Sequence, residues 1–544
     1  MTPLQLQRSA TVLSFGSSRP RVIRAIAAQA QRTQQRCISI QQLDDSRNGR
    51  ERIVILGSGW AGYTLSRALN HTRYQVIVVS PRSYFVFTPL LASTSVGTLE
   101  FRNALEPVRS RRNKTEFFQG WADAVDFSGK KLLIEEAVHD PTQGLALTGE
   151  RNGAGAGEYA VKKGELVRRE KGGMFEMGWD KLVVAVGCYS QTFGTKGVVE
   201  NAFFLKDVGD ARRIRNRMLA CFETASLPTT TEEERRALLH FAVVGGGPTG
   251  IEFSAELHDL IKEDMARLYP DLVKYHKITV YDVAPQILSM FDKKLGQYAI
   301  DAFKRDGIEV HTSTHIEELR SGLPGRKPED DHSSAFTLKV KEEGEVPVGM
   351  CIWSTGLMMN PFIQKALGGE IQASKQMLLP DQEGQPVYDA AKTHWKIQKH
   401  PRSGAIITNA RLQPLLTGNE PTDPKQSTAA FKDVFALGDC ASIEGTALPA
   451  TAQVANQKAK WLAKRLNKGD IQRSKFTFKD LGVMAYIGNW NAIMQSGGQD
   501  ISGFAAWVIW RGAYLAKTVS WRNRILIATY WCVNFLFGRD ISRF

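Results

Sequence analysis

What most constrains the fold of this 544-residue chain is a strand, glycine-turn, helix unit that occurs twice. Gly57-Ser58-Gly59-Trp60-Ala61-Gly62 follows the apolar run Ile53 to Leu56. It precedes a helical pattern from Tyr63 to Leu69 and a second apolar run, Val76 to Val79. Nearly 190 residues later the plan recurs, with Phe241 to Val244, the turn Gly245-Gly246-Gly247-Pro248-Thr249-Gly250, a long helix, and Ile278 to Tyr281. In each turn the first glycine permits a tight bend, the next lets backbone approach a phosphate, and the last lets helix pack on strand. The helix N-terminus then favours a pyrophosphate. One such match is weak, but two in this context imply two dinucleotide sites on one α/β chain.

The first turn is expected to set Gly57, Ser58, Gly59, Trp60, Ala61 and Gly62 against one dinucleotide. Its second strand closes on Ser80, where a carboxylate usually holds the ribose, so the Ser80 hydroxyl or Arg82 is the candidate substitute. The second unit, with Gly245, Gly247 and Gly250, closes on Asp282. A carboxylate there accepts from a ribose 2′-hydroxyl and repels a 2′-phosphate, which favours NADH over NADPH. Glu252 follows at once and is expected to face the space between the units. There it suits orientation or proton movement beside a nicotinamide or flavin, although an acid in a first helical turn also satisfies the dipole. NADH held against FAD needs no protein nucleophile for hydride transfer.

Several further segments carry a family resemblance. Ser80-Pro81-Arg82 with Phe87-Thr88-Pro89-Leu90-Leu91, the run Val96 to Arg102, Leu437-Gly438-Asp439-Cys440-Ala441, and Ala452-Gln453-Val454-Ala455-Asn456-Gln457 stand in order with the two turns. From about residue 50 to its end the chain resembles mitochondrial type II (alternative, rotenone-insensitive) NADH dehydrogenases of fungal type. The resemblance implies a two-dinucleotide-binding flavoprotein fold with two Rossmann-like domains and a C-terminal membrane-anchoring region. It implies a non-proton-pumping NADH:ubiquinone oxidoreductase with non-covalent FAD on the first unit and NADH as co-substrate. Asp439 would bond the ribityl chain, a role that a helix N-cap at the same position does not exclude. Ser80, Thr88, Pro89 and Ala452 would also touch FAD, and Thr355 and Gly356 would pass the NADH. Gln453 and Gln457, four apart on one helix face, would meet the flavin edge and a quinone carbonyl, together with Asn456 and with Tyr514 at the quinone entrance. Glu252 and Gln453 are the expected catalytic pair. Surface glutamines are common, and without the resemblance these amides would carry no assignment.

The implied domains are a leader over 1–40, FAD-binding segments over 51–210 and 361–470 around an NADH-binding domain over 211–360, and the anchoring and dimerisation region over 471–544. Residues 140–176 read as hairpins with an insertion.

The basic charge suits an anionic surface, whether a nucleic acid, an acidic substrate or a phospholipid leaflet, and does not by itself choose among them. The formal net charge is +14, and much of the excess sits at the ends, with eight Arg against two Asp in residues 1–50 and nine Lys or Arg against three Asp in residues 471–544. The start, rich in Arg, Ser and Gln and free of acids up to Ile40, has the composition of a mitochondrial transit peptide, or otherwise of a disordered basic tail. No stretch reaches the roughly 20 apolar residues of a spanning helix. Instead Phe504 to Val519 and Arg524 to Phe537 mix Trp with Leu, Ile and Arg, as an interfacial anchor does. Ordinary core or dimer-interface helices are the plainer reading. The expected location is the inner mitochondrial membrane, peripheral and on the matrix side, as a homodimer that binds no nucleic acid.

Six scattered cysteines form no close pair, so neither a metal site nor a disulfide framework is expected, and a disulfide reductase is disfavoured. Sulfide:quinone oxidoreductase would need Cys188 and Cys351. A flavoprotein resembling apoptosis-inducing factor would spend its basic charge on DNA. No calcium-binding loop appears.

Overall fold

The computed structural model describes residues 39–110, 114–140, 142–148, 158–160, 166–168, 172–326, 331, 333–380, 394–418 and 428–543. The chain divides into two compact units, residues 1–49 and 50–544. Of the first, residues 39–49 are described and hold the helix Ile40–Asp45, capped by Ser39, whose hydroxyl accepts from the Gln42 amide. The expected leader otherwise lies outside the described residues.

The second unit is built on two sheets. The larger has seven strands in the order Val434–Ala436, Lys181–Val184, Glu51–Leu56, Tyr74–Ser80, Glu116–Asp126, Lys131–Glu136 and Met174–Gly178. Its first five strands run parallel and the last two antiparallel. Ile53, Val54, Ile55 and Leu56 are all buried, as a parallel strand covered on both faces requires. The second sheet is wholly parallel, in the order Phe203–Phe204, Met350–Trp353, His240–Val244, Lys277–Tyr281 and Ile308–His311. Strand Val434–Ala436 thus returns the chain to the first sheet after the second is complete. Of the 140–176 stretch, Glu158–Ala160 and Leu166–Arg168 form a hairpin.

Residues 483–503 form a three-stranded antiparallel meander, which the sequence reading did not foresee, followed by helices Phe504–Lys517 and Trp521–Phe537. The meander's first strand lies along the helix Pro248–Leu260 of the second dinucleotide unit, and Tyr486, Ala492 and Trp510 join that unit's core. No helix among the described residues is long and apolar enough to cross a membrane.

Candidate functional site

Both glycine turns use their glycines as the motif demands. Gly57 and Gly245 have φ of +107° and +117°, the left-handed region that favours glycine. A Cβ on Gly62 would stand 2.0 Å from the Gly57 carbonyl oxygen, and one on Gly250 equally close to that of Gly245, so helix and turn touch. Gly59 and Gly247 have nothing within 4 Å of a built Cβ, leaving the middle of each turn open toward a ligand.

Under the first turn Ser80 does not reach outward. It is buried, with its Oγ 2.9 Å from that of Ser58, which also lies 2.9 Å from the Tyr84 carbonyl. Arg82 is the group that reaches the cleft, its guanidinium held 2.5 Å from Asp207. Asp207 and Asp210 also form the capping box of helix Val208–Ser226. Burial pushes the Asp210 carboxyl up to about 7 although three backbone amides donate to it. Trp60 donates its indole N–H to Thr88 Oγ1 at 3.1 Å and meets Phe85 edge-on.

A cleft of about 420 Å³ opens beyond this turn, with contributions from every part of the unit. Ser58, Gly59, Trp60, Ala61, Thr88 and Pro89 come from the first turn and its neighbours, and Thr249 and Glu252 from the second. Thr355 and Gly356, Asp439, Ala452 and Tyr514 complete it. A smaller recess of about 140 Å³, lined by Gly57, Ser80, Trp121 and Leu145, continues beneath the first turn.

Glu252 is the fifth residue of the helix Pro248–Leu260, past its first turn, so the dipole does not account for an acid here. Its Oε1 accepts from the Tyr486 amide at 3.2 Å, the Trp510 indole at 3.1 Å and the Tyr514 hydroxyl at 3.4 Å. Burial raises its pKa to about 8 against these three donors, and the Glu256 carboxylate adds to the rise. At neutral pH it is therefore mainly a neutral acid in the cleft wall. Tyr514 is raised in turn, first by burial and then by Glu252.

Asp439 stands in the cleft as expected, but the strand Ala441–Ile443 follows it, and the next helix is capped by Thr451. An N-cap role for Asp439 is thereby removed. Cys188 donates to Asp439 Oδ2 at 3.4 Å and receives a bond from Lys206 Nζ at 3.3 Å. Burial lifts this thiol to about 11. Neither Lys206 nor the Cys188 contact was visible in sequence, because three separate strand ends meet there. Gly356 has φ +77°, and a Cβ would meet the Gln191 carbonyl at 2.8 Å, so its freedom serves close packing on neighbouring protein at the cleft wall. Asp282 ends its strand partly exposed, its carboxylate accepting from the Gly246 amide at 2.5 Å and the Ala284 amide at 2.7 Å.

The amides of the Ala452–Lys468 helix are engaged elsewhere. Gln453 donates to the Gly482 carbonyl at 3.3 Å and accepts from Leu481; Gln457 donates to the Lys479 carbonyl at 2.8 Å and accepts from the Lys479 amide; Asn456 donates to Thr64 at 3.0 Å. None of the three lines the cleft, whereas Ala452 does.

The residues present fit two dinucleotides. Each turn is open where a pyrophosphate would lie, and the cleft joins the two. Among the described residues no cluster suits a metal ion. Cys351 is fully buried in the second sheet, its thiol pushed up to about 12, and it does not reach the cleft.

The chain matches the pyridine nucleotide-disulphide oxidoreductase family over residues 51–388 and the NDH2 C-terminal domain over residues 481–540. It is 34% identical to a probable NADH dehydrogenase of Dictyostelium discoideum, over 91% of each chain. With the mitochondrial external alternative NAD(P)H-ubiquinone oxidoreductase B4 of Arabidopsis thaliana it shares 33% identity, over 91% of this chain and 89% of that one. The solved NDH2 of Plasmodium falciparum in complex with NADH has the same fold, with a TM-score of 0.68 at 21% identity, over 91% of this chain and all of that one. The chain belongs to the pyridine nucleotide-disulphide oxidoreductases and, within them, to the type II, alternative NADH dehydrogenases.

Proposed function

We propose that this cleft performs NADH:ubiquinone oxidoreduction, with FAD on the first turn, NADH on the second, and the quinone arriving past the C-terminal helices. One observation carries the reading: Glu252 from the second unit, Asp439 from the first and Tyr514 from a C-terminal helix wall a single cleft. A flavin there supplies a two-electron centre that NADH reduces and a quinone reoxidises. The protein binds, orients and keeps out water.

In this reading the backbone from Gly57 to Gly62 cradles the FAD pyrophosphate. Arg82, tethered by Asp207, serves where Ser80 is turned inward, and Thr88, Pro89, Asp439 and Ala452 seat the rest. Gly245, Gly247, Gly250, Thr355 and Gly356 receive NADH, with Asp282 at its ribose. Glu252 holds a proton in the cleft at neutral pH. Gln453 and Gln457 keep the 479–482 segment at the quinone's approach rather than pointing an amide at its carbonyl, while Asn456 ties the helix to Thr64.

The C-terminal helices expose Phe504, Val508, Ile509, Trp521, Ile525 and Phe535, which supports attachment to the surface of the inner mitochondrial membrane and pairing of two copies through this region. Mitochondrial naming of the Arabidopsis relative and the basic leader support the organelle. Protease resistance in mitochondria stripped of their outer membrane would test a location on the matrix face.

The chemistry is tested by anaerobic mixing with NADH. A yellow band that bleaches, then recovers on addition of a short-chain ubiquinone, is the expected result. A preparation that is colourless and stays so when offered FAD overturns the reading.

A further inference from the structure

A second cavity, of about 340 Å³, lies between the helix that carries Glu252 and the two C-terminal helices, apart from the flavin cleft. Its charged groups are unevenly satisfied. Arg539 sits 2.7 Å from both Glu263 and Asp264 and donates to Thr98. Glu256 accepts from Ser93 at 2.6 Å and Thr98 at 2.8 Å, and Asp259 accepts from the Tyr486 hydroxyl and the Asn489 amide. Arg511 differs. Its guanidinium is clamped between the rings of Trp507, at 4.8 Å, and Trp531, at 4.4 Å. Among the described residues it has no carboxylate within salt-bridge distance and no hydrogen bond, and its Nε is buried without a partner. Ring stacking holds a guanidinium flat but leaves its in-plane donors free, and a planar fork of donors matches a phosphate. Phe535 and Phe537, 72% and 83% exposed, stand at the mouth.

We propose that this cavity binds the phosphate of a phospholipid headgroup, Arg511 donating to its oxygens while the acyl chains leave across Phe535 and Phe537. The inference rests on the membrane attachment proposed above. The cavity's four carboxylates outnumber its three arginines, Arg267, Arg511 and Arg539, which disfavours a dianion, so a phosphodiester carrying one charge is preferred to free phosphate. They also favour a headgroup that carries an amine, such as phosphoethanolamine.

Native mass spectrometry of the full, flavin-loaded chain, taken from micelles doped with phosphatidylethanolamine, reads the stoichiometry. Wild type is expected to retain one phospholipid per chain, Arg511→Met to lose at least tenfold in retention, and Arg511→Lys to recover part of it. All three are expected to keep NADH-driven flavin bleaching within twofold, which verifies folding. Equal retention by Arg511→Met, or displacement of the lipid by millimolar inorganic phosphate, overturns the proposal. Flotation with phosphatidylcholine vesicles separates the two readings. If wild type does not float, membrane attachment itself fails; if it floats yet retains no lipid, only the headgroup site fails.

Discussion

The two dinucleotide units repeat one design and finish it differently. In both, the sixth glycine presses on the carbonyl of the first and the middle glycine faces open space. Behind the first turn the strand ends on a buried serine bonded to another serine, and a recess lined by Trp121 and Leu145 runs beneath. Behind the second it ends on a partly exposed carboxylate, followed by Val283 at 61% exposure. A resident cofactor needs enclosure and a co-substrate needs an open door. The same backbone motif supplies either, and the residue that closes its second strand, with what covers it, decides which.

The largest effect should come from the sixth glycines. Gly62→Ala puts a methyl 2.0 Å from a backbone oxygen, as does Gly250→Ala, so both carry an overpacking cost on the order of 3 kcal/mol or more. Their consequences should part company. Gly62→Ala should purify without flavin, whereas Gly250→Ala should remain yellow with its KM for NADH raised at least tenfold. Loss of flavin from both, read by absorbance after gel filtration, would break the distinction between resident and visiting sites.

Glu252 sharpens the comparison, because it rides on the second unit's helix yet faces the first unit's cleft. Its pKa stands near 4.5 in the unfolded chain and near 8 in the folded one. Below pH 4.5 both states hold the proton and nothing is lost. Between 4.5 and 8 folding requires a proton that the unfolded chain has shed, so stability falls by about 1.4 kcal/mol per pH unit. Glu252→Gln keeps an acceptor for Tyr486, Trp510 and Tyr514 but removes this titration. Its Tm relative to wild type should therefore rise from pH 5 to pH 8 by several degrees and then level off. Quinone reduction should drop at least tenfold, while bleaching by NADH changes less. A Tm difference independent of pH would show that the carboxyl is already ionised in the fold.

How much of this was legible follows from the range over which each feature acts. The turns, their strands and the presence of the last helices are local patterns of glycine spacing and apolar period; the helices run Phe504–Lys517 and Trp521–Phe537, the first ending two residues before Val519 and the second starting three before Arg524. Glu252 was named from its place after the second turn, Asp439 and Tyr514 by resemblance, and the three do share the cleft. The contacts of Lys206 and Cys188 with Asp439 join strand ends far apart in sequence, which no periodicity reports. Gln453 and Gln457 were correctly set on one helix face, but spacing cannot say that their amides clasp residues 479–482. Glu256, one turn beyond Glu252, was readable by the same i, i+4 rule and was missed.

The smallest expected effect tests the open door itself. Asp282 already accepts two backbone N–H groups, so Asp282→Asn keeps an oxygen for the Gly246 or Ala284 amide and the turn persists, with Tm within a few degrees of wild type. What the substitution removes is the charge that would meet a 2′-phosphate. For a group near the surface that is worth about 1 kcal/mol at most, so the ratio of kcat/KM for NADH over NADPH should fall up to about fivefold, mostly through better use of NADPH. An unchanged ratio would mean that the carboxylate serves the turn alone and that the choice of nucleotide is made elsewhere in the second unit.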